Sequence, residues 1–139
     1  VIAREFDWVH SLSDLSHAFK LSACRSQYQR PINVLVQVKN GLSLAKSGVL
    51  ESDLLAFMKE VSKFPFLKVR GLMTMCDAVH TMSQRRSIYT ELKQSQRFLL
   101  QQDFTVDTLS MGMSGDFELA IRCGSTMVRV GSALFGPRD

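Results

Sequence analysis

Short apolar runs rich in β-branched residues alternate along this chain with stretches whose apolar residues recur every three or four positions. That alternation confines the fold to strand–helix repeats. Residues 7–10 read as a strand, followed by a helical stretch with Leu12, Leu15, Phe19 and Ala23 on one face. Pro31 breaks the chain before 32–38 (INVLVQV), whose composition predicts a buried strand. Leu54, Leu55, Met58 and Val61 mark a second amphipathic helix, Pro65 ends it, and 67–73 is the next strand. A longer helix carries Ile88, Leu92, Ser95 and Leu99 along one side, with Ser83 as its expected N-cap. Residues 105–110 predict a strand, 115–123 a short helix and 126–130 the last strand. Five strands joined by four helices at these lengths imply right-handed parallel βαβ units, the α/β class.

A chain of 139 residues, 45% of them hydrophobic, suffices for one domain with a packed core, and no apolar run is long enough to span a membrane. The net charge of +4 is spread over single Lys and Arg residues, apart from Arg85 and Arg86. No basic stripe interleaved with aromatics points to nucleic acid. Cys24, Cys76 and Cys123 are far apart and lack a Cys-x-x-Cys spacing, which argues against a disulfide framework or a metal site and fits a reducing compartment. The chain opens on Val1 without an initiator Met, so the natural N-terminus is expected elsewhere.

The chemistry concentrates in the last third, in LSMGMS at 109–114 and GSTMVRVGSALFG at 124–136. These read as a strand, a Ser-tipped turn, a short helix, a second strand and a Gly-Ser turn. Two neighbouring strand ends thus offer small residues and free backbone N–H groups, the parts of a phosphate cradle. Ser114 either caps the short helix or donates to a phosphate oxygen, while Gly131 and Ser132 supply amides at the next strand end. Asp116 and Glu118 must face solvent if an anion is to sit there. Arg129, two residues before the second turn, either pairs with a carboxylate or faces a ligand beside the cradle. A doubly wound sheet is one arrangement for these elements. Phosphate loops after the last two strands favour a (β/α)8 barrel, of which the chain would hold strands four to eight.

Those two motifs closely resemble the pyridoxal 5′-phosphate (PLP) homeostasis proteins, relatives of the alanine racemase N-terminal barrel. DWVHS at 7–11, NVLVQV at 33–38, KSG at 46–48 and RGLM at 70–73 fall in that family's order. The resemblance implies a partial (β/α)8 barrel of the alanine racemase N-terminal type. Residues 1–139 would then be the C-terminal portion of a single PLP-binding barrel domain. It implies PLP as cofactor, with Ser114, Gly131 and Ser132 holding its phosphate and Arg129 facing its pyridine nitrogen. The lysine that binds the cofactor covalently is expected upstream of Val1, and no metal is implied. An arginine does not surrender its proton, so it donates to an uncharged ring nitrogen and mutes carbanion chemistry.

The implied function is a carrier or buffer of intracellular PLP without turnover. The alternatives are a racemase-like PLP enzyme acting on amino acids and a truncated product that binds no cofactor. Asp139 follows almost directly on the last strand, so the second domain that racemases use is not expected. Implied partners are PLP and PLP-dependent apoenzymes, with neither nucleic acid nor membrane. The full-length protein is expected to be a cytoplasmic monomer, with a mitochondrial pool as a further option. Two positions depart from the family: Lys39 stands where asparagine is usual, and Ser43 where a glutamate often precedes Lys46 by three residues. Lys39, at a strand's C-terminal end, is either a solvated loop lysine or a group able to attack an aldehyde. His10 either lines the pocket or is merely packed.

Overall fold

In a computed structural model, which describes residues 1–44 and 47–137, a parallel sheet in the order β1-β2-β4-β5-β6 carries the architecture. The strands are β1 (Trp8–Leu12), β2 (Ile32–Lys39), β3 (Val49–Leu50), β4 (Leu67–Met73), β5 (Thr108–Met113) and β6 (Met127–Arg129), with β3 attached to the end of β2 alone. Before β1 lies α1 (Ile2–Glu5), between the strands lie α2 (Leu15–Arg25), α3 (Glu51–Val61), α4 (Met82–Gln101) and α5 (Phe117–Arg122), and after β6 comes α6 (Ser132–Phe135). Among the described residues every strand pairing is parallel and each principal strand lies beside the next, the order of consecutive β/α units in a half-barrel.

The period of two decides the layers. Ile32, Val34, Val36 and Val38 of β2 join a core with Leu54, Met58, Ile88 and Leu92 of the covering helices. Leu35 and Gln37, pointing the other way, are also buried. Burial on both faces is what a covered parallel sheet requires. At Gly71 on β4 a Cβ would stand 1.7 Å from the Thr108 carbonyl oxygen, so only glycine lets β5 pair there.

Local chemistry sets the helix starts. Asp14 caps α2 by accepting from the Ser16 and His17 amides. Thr81, rather than the expected Ser83, caps α4: its hydroxyl accepts from Gln84 N while the Gln84 side chain accepts from Thr81 N. The expected apolar face of α2 does not form. Leu12 belongs to β1, Phe19 is 62% exposed, and the buried residues are Ala18, Ser22 and Arg25. Arg25 fixes that phase by donating to the carbonyls of Ala3, Phe6 and Arg30, which hold it against α1. On α3 and α4, Leu54, Met58, Val61, Ile88, Leu92, Ser95 and Leu99 are buried as their spacing predicts.

Candidate functional site

Gly112 sets the geometry at the top of β5. Its φ of +97° lies in the left-handed region, and a Cβ there would fall 2.5 Å from the Ala120 Cβ. Without one, α5 packs directly on the strand and the connecting turn 114–116 is tight. The strand therefore runs through Met113, three residues beyond the expected 105–110, and Phe117 begins the helix.

Asp116 fastens this turn. Its side chain accepts from Met113 N at 2.8 Å, from the Tyr89 hydroxyl at 2.6 Å and from Arg85 Nη1 at 3.0 Å. Burial pushes the Asp116 carboxyl up, but the Met113 amide, Tyr89 and Arg85 together pull it below the usual carboxylate range. From the sequence, Asp116 had to face solvent if an anion was to sit here; it is buried instead, and the Arg85 cation pairs with it. Glu118 is exposed, as the sequence suggested.

Ser114 is not the cap of α5, a position that Asp116 occupies. Its hydroxyl oxygen instead accepts from Gly131 N at 3.1 Å and Ala133 N at 3.2 Å. The tips of β5 and β6 therefore converge on one oxygen atom. Around them opens a cleft of about 730 Å³ whose walls include Ser114, Arg129, Gly131 and Ser132, with Cys76 and Arg85 from the β4 and α4 side. Nothing lies within 4 Å of where a Cβ on Gly131 or Gly115 would be, so a ligand has free approach to both backbones.

Arg129 is half-buried under this cleft. Nη1 donates to the Ser110 hydroxyl and Nη2 to the Thr74 carbonyl at 2.9 Å, while Thr74 itself donates to Val38 O. Burial lowers the pKa of Arg129, and the nearby Tyr89, Asp116 and Cys76 partly offset this; the guanidinium stays charged. Among the described residues no carboxylate forms an ion pair with it, so three of its five N–H donors keep no protein partner. Burial likewise raises the Cys76 thiol, which favours its protonated form.

Sequence reasoning missed the partners of Arg129. Ser110 is fully buried, accepts from the guanidinium and lies 3.1 Å from His10 Nδ1. No local signal marks this contact, which joins residues 100 positions apart. Lys39 lies elsewhere, on the wall of a separate cavity of about 220 Å³ with Glu51 and Glu91. Lys46 and Asp139 lie outside the described residues. Among the described residues no group of three or more His, Cys, Asp or Glu is placed to hold a metal, and no helix is long and apolar enough to cross a membrane.

The family described as alanine racemase, N-terminal domain, matches residues 1–139. A pyridoxal phosphate homeostasis protein of Vibrio cholerae is 40% identical over 139 residues, covering 100% of this chain and 59% of that protein. PipY of Synechococcus elongatus, solved without PLP, superposes with a TM-score of 0.89 at 31% identity, covering 96% of this chain and 63% of PipY. The same protein with PLP bound gives a TM-score of 0.85 at 29% identity. The chain thus spans about six-tenths of the length of these relatives.

Proposed function

The chain belongs to the alanine racemase N-terminal domain family, and on that premise we propose that it is the phosphate-holding portion of a PLP carrier that stores or delivers the cofactor without turning over amino acids. The observation that carries this reading is the convergence of the Gly131 and Ala133 amides on a single oxygen, that of Ser114, beside an anchored guanidinium. An oxygen of a bound phosphate is the same kind of acceptor and would be held by these amides together with the Ser114 and Ser132 hydroxyls. The cleft is in the size range of small-molecule sites. The residues present therefore fit the phosphate and the ring of PLP.

When bound, PLP supplies an electrophilic aldehyde and an electron-accepting ring. Arg129, held in place by Ser110 and Thr74, would donate a hydrogen bond to the ring nitrogen and leave no proton there. That disfavours the charged ring on which carbanion chemistry depends. Cys76 keeps its proton, and the Tyr89 hydroxyl is spent on Asp116 with its pKa raised well above the ordinary value. Among the described residues, the cleft wall holds no carboxylate, histidine or lysine placed to move a substrate proton. The names of the relatives support the same reading: one is a pyridoxal phosphate homeostasis protein, and another has been solved with PLP.

Equilibrium dialysis of the 139-residue chain against PLP, and separately against inorganic phosphate, tests the site. Both bind, and Arg129→Ala weakens PLP about tenfold while sparing phosphate, as expected for loss of one charged hydrogen bond. No PLP binding, or equal losses for both ligands, would overturn the assignment. Borohydride reduction with PLP followed by peptide mapping is expected to leave Lys39 unlabelled. Sustained turnover of alanine or serine would replace the carrier reading with an enzymatic one.

A further inference from the structure

We infer that His10 is a positioning residue for Arg129, acting through the Ser110 hydroxyl: an imidazole on the first strand of the chain sets the aim of the guanidinium on the last. This rests on the PLP reading above for its consequence, but not for its geometry.

The argument is one of hydrogen-bond direction. An arginine only donates, so in its contact with Arg129 the Ser110 oxygen must accept. Ser110 is 0% exposed, and its hydroxyl proton needs an acceptor inside the protein. The acceptor at hand is His10 Nδ1, 3.1 Å away. That requires an imidazole without a proton on Nδ1, which therefore carries its hydrogen on Nε2. Burial first and the charge of Arg129 second disfavour a cation on the ring, and Trp8 packs edge-on against it with ring centroids 6.1 Å apart.

Orientation thus runs one way, from Arg129 to Ser110 to His10. Turning the tautomer over would put two donors on Ser110 and leave its own proton buried without a partner, a costly arrangement. Arg129 would then share the Ser110 oxygen with a competing donor, leaving the Thr74 carbonyl as its one unshared partner among the described residues. His10 does not itself line the cleft, so its effect on a ligand there is indirect.

Two variants separate positioning from mere packing. His10→Asn places a carbonyl oxygen close to where Nδ1 stands and keeps an acceptor for Ser110; His10→Leu fills similar space with none. Circular dichroism and thermal melts first identify which variants fold. The expected result is that His10→Leu weakens PLP binding about tenfold and leaves inorganic phosphate binding unchanged, while His10→Asn restores PLP to within about twofold. Equal PLP affinity in His10→Leu and the unmodified chain would overturn the proposal, as would parallel losses for PLP and phosphate. Nitrogen-15 NMR of the ligand-free chain gives an arm independent of PLP and of any variant. A non-protonated Nδ1 at neutral pH supports the relay, and a protonated Nδ1 overturns it even if PLP binds. Failure of the unmodified chain to bind PLP would instead count against the assignment of the cleft.

Discussion

At Asp116 a carboxylate 4% exposed is held by one backbone amide, one hydroxyl and one guanidinium. Asp116→Ala leaves the partly buried Arg85 without its counter-ion and the buried Tyr89 hydroxyl without an acceptor, so a loss of about 2 kcal/mol is expected in urea unfolding. Because the native pKa is depressed, the contribution of Asp116 is present above the unfolded value of 3.8 and is lost as pH falls through the lower native one. His10 behaves differently in the acid range. Burial first and Arg129 second hold its pKa below 6.5, so under mild acid the unfolded chain takes up a proton that the native one resists. Stability is therefore expected to decline as pH drops below 6.5 toward the native value, and the decline should be shallower in His10→Asn when melting temperatures are compared across pH. Equal slopes in the two proteins would contradict it.

At the scale of elements, Gly112→Ala tests the join between β5 and α5. The side chain would meet Ala120 at 2.5 Å in a backbone region that disfavours it, and a destabilisation of about 1–3 kcal/mol is expected by calorimetry. The same glycine explains where sequence reasoning slipped. Met-Gly-Met at 111–113 reads as a turn, yet it is the last part of the strand, because the missing Cβ admits a helix rather than a bend. The five principal strands and the α3 and α4 faces were legible because β-branched runs and 3.6-residue spacing record burial directly. Two-residue β3 and four-residue α1 and α6 are too short to carry any period. The phase of α2 was illegible for another reason: a buried arginine bound to three carbonyls overrode the apolar pattern.

Over the whole molecule, β1 and β6 end the sheet, each pairing with one neighbour among the described residues. Phe135 at 87% exposure, Leu134 at 71% and Val79 at 74% add apolar surface. Unpaired edges and such surface favour association, so sedimentation velocity of this chain should show mass rising with concentration; a constant monomer across the range would contradict that. The convergence of Ser114, Gly131 and Ser132 was legible in the sequence because small side chains at successive strand ends are a local pattern. The contacts around Arg129 were not, since Thr74 and Ser110 meet it, and His10 meets Ser110, only once the sheet has formed. The bond from Ser114 to both amides bears on how the proposed carrier would empty. Were an anion to take the place of that hydroxyl and then depart, the hydroxyl would stand in for it and the two loops would keep their spacing. Release, on the proposed reading, would be the swap of one oxygen for another with no refolding on the way.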